Sequence, residues 1–246
     1  MFYLVDAVQR REGITGDLFE IGVHHGRSSV LLAGLLRDGE RLQVCDLFGD
    51  QDQNVSASGS GDRAVFERNI GKYLPPERVT VFQQYSTSLN PADIGGAVRI
   101  FHVDGGHDAE TALADLRLAA ETLAEGGVIV LDDPLRPEWP GVTEAAVRFL
   151  DERPAMHAFA IGFNKLLFCE DRYVRQYRDA LLDRDRTASL GFGYPYAVKR
   201  AGFVGKELAI FYVPKYRGDH LGTRLLGGVL ERVPGLRRMA KRYVGR

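Results

Sequence analysis

The stretch from Asp17 to Leu36, DLFEIGVHHGRSSVLLAGLL, decides the architecture. It passes from an apolar strand, DLFEIGV (17–23), through a turn carrying Gly22 and Gly26 into an apolar helix that starts near Ser28 and Ser29. Strand, glycine turn and helix in direct succession are the first unit of an α/β sheet of mostly parallel strands. Outward from it, short apolar runs alternate with helical patterns. The further strand candidates are RLQVCDLF (41–48), RVTVFQQY (78–85), RIFHVDG (99–105), GVIVLDD (127–133), HAFAIGF (157–163) and KLLFCE (165–170). Several lack clean alternation, as strands covered on both faces do. The expected fold is therefore α/β, a doubly wound, mostly parallel, seven-stranded sheet.

The clearest helix spans 108–125, with Asp108 to cap its start and Gly126-Gly127 to end it. PGVTEAAVRFLDER reads as another. The last two strand runs are separated by Asn164 alone, which predicts a hairpin and hence one strand antiparallel to the rest. Beyond residue 170 the pattern weakens to a helix near 171–184, the stretch GFGYPY, a strand-like ELAIFYV and a basic C-terminal helix interrupted by Pro234. The boundaries read as an N-terminal helix over 1–13, a main domain over 14–170 and a C-terminal extension over 171–246. The linker-like DQDQNVSASGSGD (50–62) follows a strand end, where α/β proteins place functional loops and lids.

The chain has 246 residues, 45% hydrophobic and 26% charged, enough for a full-sized core and too apolar to stay disordered. No apolar run approaches the roughly 20 residues that cross a bilayer, and MFYLVDAVQRREG lacks the order of a signal peptide. A soluble, cytoplasmic protein is expected. Cys45 and Cys169 sit in apolar runs without metal-ligand spacing and read as small core residues. The net charge of -1 hides an asymmetry: from Lys215 onward nine Lys/Arg face Asp219 and Glu231, an excess of +7 that leaves -8 for the preceding chain. Such a tail fits a solvated helix face or a subunit contact, and also nucleic acid or an anionic membrane. Phe2, Leu4, Val5 and Val8 fall on one helical face, and Leu225, Leu226, Val229, Leu230 and Val233 repeat the pattern. Two apolar stripes predict a homo-oligomer or a cover over the cleft.

The chemistry-bearing residues collect at the ends of strands. Gly22 and Gly26 let a ligand approach the backbone, and the helix behind them offers free N–H groups to an anion, although a bare packing turn has the same look. The spacing is not the dinucleotide GxGxxG. Asp46, about twenty residues further on, can accept both hydroxyl hydrogens of a ribose, which points to a nucleoside-containing ligand. Gln84-Tyr85-Ser86 would border its base. Asp104 ends the fourth strand, and Asp132 and Asp133 end the fifth. Three carboxylates at one edge repel one another, and a hard divalent cation, Mg²⁺, Mn²⁺ or Ca²⁺, would remove that repulsion. The competing reading is a helix cap and a solvent-facing side chain. His107, three positions after Asp104 on a Gly-Gly turn, is a credible general base, with His24 and His25 as rivals. His102 and His157 lie in strand runs, away from the expected substrate contacts.

Taken together, FEIGVHHGRSS, Asp46 and the pair VDGGH…GGVIVLDD resemble the class I S-adenosylmethionine-dependent methyltransferases over roughly residues 14–170. Within them, D-G-G-H followed by D-D resembles the metal-dependent O-methyltransferases that act on macrolide sugars. The resemblance implies that Glu20, Gly22, Gly26, Ser28 and Ser29 surround the methionine part of S-adenosylmethionine and Asp46 its ribose, with Tyr85, Ser86 and Asp104 completing the cofactor site. It implies Mg²⁺ or Mn²⁺ on Asp104, Asp132 and Asp133, and catalysis by His107 and Asp104. The acceptor would be a hydroxyl of a small molecule, a sugar or glycosylated natural product, with no nucleic-acid partner. Pro134 departs from the aromatic residue common after the aspartate pair. A nucleic-acid methyltransferase using the basic tail and a NAD-dependent oxidoreductase are the alternatives; the first should carry basic and aromatic residues around the cleft, and the second needs the missing GxGxxG.

Overall fold

Leu18 and Phe19, neighbours on β1 (Asp17–Ile21), are both fully buried, one in each of two apolar layers on opposite faces of a sheet. The same division recurs on β4 (Val98–Val103), where Ile100 and Phe101 join different layers. Strands buried on both faces cannot show hydrophobic alternation, which is why these segments read as continuous apolar runs. The computed structural model describes residues 1–49, 61–183 and 197–212.

The remaining strands are β2 (Leu42–Cys45), β3 (Val79–Phe82), β5 (Leu123–Asp132), β6 (Met156–Gly162), β7 (Lys165–Glu170), β8 (Ala197–Phe203) and β9 (Lys206–Tyr212). They form one nine-stranded sheet in the order β3-β2-β1-β4-β5-β7-β6-β9-β8. The expected seven strands are present, and the correction is the additional β8–β9 hairpin, whose β9 pairs in parallel with β6. The sequence shows ELAIFYV but hides β8, because Ala197–Phe203 holds Lys199, Arg200 and Gly202 and is largely solvent-facing. β1 to β5 are parallel, and β7 is the antiparallel member against both β5 and β6.

One layer is built from α1 (Phe2–Arg11), α2 (Arg27–Ala33), α3 (Arg63–Ile70) and α7 (Val174–Leu182). The other comes from α4 (Pro91–Ile94), α5 (Ala109–Thr122) and α6 (Pro140–Glu152). Asp108 caps α5 as the sequence predicts, its carboxylate accepting from the Thr111 amide at 2.9 Å. The predicted end at Gly126-Gly127 is wrong. Leu123 is already extended and pairs with Val98, while the glycines fall within a register shift of β5; a Cβ on Gly127 would strike Leu123 and the Val98 carbonyl.

The apolar face of α1 also differs from expectation. Phe2, Leu4, Val5 and Val8 are at most 6% exposed and belong to the chain's own core, so this stripe leaves nothing for a subunit contact. The helix is fastened by Arg99, fully buried at the start of β4, which donates to Asp6, Gln9, Glu40 and the Leu35 carbonyl. Cys45 and Cys169 are buried free thiols. The basic tail, its apolar stripe and most of the 50–62 loop lie outside the described residues, among which no helix is long and apolar enough to cross a membrane.

Candidate functional site

The parallel strands bring their carboxyl ends to one edge, and each predicted site residue sits there or just beyond it. At the end of β1, Gly22 has φ +80° and lies so close to β4 that a Cβ would come within 1.8 Å of the Asp104 carbonyl oxygen. Only glycine serves at this point. The turn then closes through Gly26, the left-handed N-cap of α2.

Asp46 organises that turn from the end of β2. One carboxylate oxygen accepts from the backbone amides of Val23 (2.7 Å) and His24 (2.8 Å), the other from the Phe48 amide (2.6 Å). A carboxylate offers about four lone-pair sites, so Asp46 can hold the loop and still receive a ribose hydroxyl. Ser28 is half-buried at the start of α2, while Ser29 is buried and donates to Glu20. Glu20 is itself fully buried and committed to the protein: its other oxygen meets His102 Nδ1 at 2.8 Å. Tyr85 and Ser86, both half-buried, begin a short turn after β3.

The acids of β4 and β5 form two overlapping sets sharing Asp104. His102, Asp104 and Asp132 place their ligand atoms within 4.8 Å of one another, and so do Asp104, His107 and Asp133. Asn164 on the β6–β7 turn ties Asp132 to Asp133, donating to a carboxylate oxygen of each. Lys165 pairs with Asp132, and Arg136 lies 3.5 Å from Asp133. His107 Nε2 is 3.3 Å from Asp133 Oδ2, and its ring packs on Trp139 with centroids 4.5 Å apart. His24 and His25 pack on each other on the glycine turn.

Burial and mutual charge set the electrostatics. Burial pushes the Asp104 carboxyl up to about 8, the Asp132 charge adding to a rise that His102 and Lys165 oppose. Against its own burial, Asp132 is held well below the usual carboxylate range by His102 and Lys165. Against burial likewise, Asp132 and Glu20 draw the His102 imidazole up to about 9. Yet among the described residues His102 Nε2 has no hydrogen-bond partner, the Asp132 oxygen standing 3.8 Å away. Oxygen donors at ligand spacing beside an orphaned buried imidazole nitrogen fit a divalent cation.

Backbone strain gathers at the same edge. His24, Phe48, Asp133, Phe163 and Asn164 all have φ between +50° and +63°, a region costly for side-chain-bearing residues that persists where surrounding structure enforces it. From sequence His102 reads as a strand residue away from the substrate, and Asn164 and Lys165 carry no site signal of their own. The only available signal was position: all three flank the strand ends that carry the acids.

Residues 19–134 match the family described as Methyltransferase domain. The stretch from the first strand through the aspartate pair is thus similar to a methyltransferase domain. The fold of this chain is similar to that of the O-methyltransferase NovP, at 19% identity over 69% of this chain and 78% of that one, with a TM-score of 0.57. Cofactor-bound Rv0187 from MTB follows at 19% identity, 69% and 78% coverage and a TM-score of 0.51. The calicheamicin methyltransferase CalS11 gives 18% identity, 68% and 78% coverage and a TM-score of 0.50. At such identities the likeness is one of fold. No curated protein matches the chain. The glycine turn, Asp46, Asp104 and Asp132–Asp133 all fall inside the matched methyltransferase segment, whereas Trp139, Asn164 and Lys165 lie beyond it.

Proposed function

We propose that the protein transfers the methyl group of S-adenosylmethionine to a hydroxyl of a sugar or glycosylated natural product, with a divalent cation held by Asp104, Asp132 and Asp133. The observation that carries this reading is the meeting of these acids and His107 beside the Gly22 turn and Asp46. Gly22, Gly26, Ser28 and Ser29 would receive the methionine part of the methyl donor, with Glu20 bracing Ser29 from below. Asp46 would receive the ribose, and Tyr85, Ser86 and Asp104 the remainder.

The methyl donor supplies an already activated sulfonium, so the chain's contribution is placement. A divalent cation, when bound, supplies positive charge that offsets the acids and makes a nearby hydroxyl more acidic. His107 takes the hydroxyl proton, with Asp133, 3.3 Å from Nε2, offsetting the charge of the imidazolium and Trp139 packing on the ring. The acceptor oxygen bonds to the methyl carbon as the carbon–sulfur bond breaks. Asn164 holds the two β5 acids in register. Leu135, two residues past Asp133, and Phe163, next to Asn164, are 65% and 48% exposed, apolar side chains that would take the non-sugar part of a glycosylated acceptor.

The test is methyl transfer from labelled S-adenosylmethionine to a panel of glycosylated acceptors, with and without EDTA. Transfer should vanish on chelation and return with Mg²⁺ or Mn²⁺. His107→Ala should keep donor binding and lose about 10² to 10⁴-fold in turnover. Transfer that continues unchanged in excess EDTA would remove the metal from the reading. Calorimetry that finds NAD bound and S-adenosylmethionine ignored would remove the rest.

A further inference from the structure

Three aspartates alone describe an all-oxygen site, which favours Mg²⁺. The structure adds a nitrogen. His102 is fully buried on β4, two residues before Asp104, and its ring is held on one side by Glu20, whose carboxylate meets Nδ1 at 2.8 Å. Glu20 is fixed in turn by Ser29 on α2. With Nδ1 donating to that carboxylate, the neutral ring carries its lone pair on Nε2. Nε2 is the orphaned atom: buried, without a hydrogen-bond partner among the described residues, and facing Asp132 Oδ2 at 3.8 Å, with Asp104 inside the same 4.8 Å group. A carboxylate on one ring nitrogen and an open position beside acids on the other is how proteins orient a metal-binding histidine.

We propose that His102 is a nitrogen ligand of the cation site, bound through Nε2 together with Asp104 and Asp132, so that this chain favours a transition metal such as Mn²⁺ over Mg²⁺. The proposal rests on the metal-dependent reading above and specifies its ligand set. Imidazole strengthens binding of first-row transition ions, while Mg²⁺ gains little from nitrogen. Any proton on Nε2 leaves as the cation binds. Lys165, paired with the same Asp132 oxygen that faces His102, is the side chain that must yield. The arrangement also joins the two halves of the site, since the histidine that would bind the cation is positioned by the acid that braces the methyl-donor loop.

The experiment uses the full chain, Mn²⁺ alone and no methyl donor. Pulsed EPR of the bound ion is recorded on protein carrying natural and ¹⁵N-labelled histidine, for wild type, His107→Gln and His102→Gln, alongside Mn²⁺ and Mg²⁺ titrations. Modulation from a directly bound histidine nitrogen is expected in wild type, retained in His107→Gln and absent from His102→Gln. The Mn²⁺ dissociation constant should rise roughly tenfold or more in His102→Gln, and that of Mg²⁺ less than about threefold. If the buried substitution prevents folding, wild type and His107→Gln decide the matter. Bound Mn²⁺ without nitrogen modulation, or modulation lost in His107→Gln, overturns the proposal and leaves the metal-dependent reading standing. Failure of both ions to bind at millimolar concentration removes that reading and this ligand set together.

Discussion

Asp115 on α5 shows what burial does to one side chain. It is 1% exposed, and neither carboxylate oxygen completes a hydrogen bond among the described residues. Burial raises its pKa to about 7, with Ser86 nearby lowering it somewhat and the Asp108 charge adding to the rise. Between about pH 4 and 7 the unfolded chain has released this proton and the folded chain keeps it. Stability therefore falls as pH rises through that window, and the full penalty persists above it. Asp115→Asn should be about 2 to 3 kcal/mol more favourable to stability at pH 8 than at pH 5. Thermal or urea denaturation at the two pH values measures the difference, and an equal effect at both would place the Asp115 proton elsewhere. Gly22 is as position-specific: Gly22→Ala should lose S-adenosylmethionine binding in calorimetry, because the new Cβ and the Asp104 carbonyl cannot share one place.

At the scale of an element, the start of β4 depends on one guanidinium. Arg99 is fully buried, and its removal leaves the buried carboxylate of Glu40 without the guanidinium that meets both its oxygens and takes from Asp6 one of three partners, Arg10 and Arg37 remaining. An uncompensated buried charge is more destructive than an absent pair, so Arg99→Met should cost about 3 to 5 kcal/mol in urea unfolding. Although burial pushes it the other way, Glu40 sits below the ordinary glutamate range through its Arg99 and Arg37 contacts. Its contribution is present above the unfolded pKa and lost as pH falls through the folded one, so Arg99→Met should also flatten the acid side of the stability curve. The β6–β7 turn is instead tied to the acids of the proposed site through Asn164. Phe163 and Asn164 hold left-handed backbone, and on the proposed function Phe163→Ala with Leu135→Ala should raise the acceptor KM several-fold while sparing affinity for the methyl donor.

For the whole molecule the N-terminal helix is the revealing part. Its apolar face fills the chain's own core and Asp6 joins the Arg99 network, so α1 belongs to the fold. Each fully buried side chain of this kind contributes about 1.5 to 3 kcal/mol, and four of them approach a domain's entire stability. Deleting residues 1–13 should abolish cooperative unfolding in circular dichroism. A truncated chain that still melts sharply would show that α1 is only a cover. The sequence by itself determined the parallel α/β class, the strand ends and the glycine turn, because burial on two faces, turn chemistry and helix caps are local and leave periodic traces. It also placed Asp46, Asp104, Asp132 and Asp133 at one edge, since strands of a parallel sheet share their direction. Tertiary structure alone decided which side chains meet. His102 finds Glu20 across 82 positions and Arg99 finds Asp6 across 93, while Lys165 reaches Asp132 because β7 turns back against β5. Periodicity records that a residue is buried; strand order and register choose its partner, and those are settled only when the whole sheet assembles.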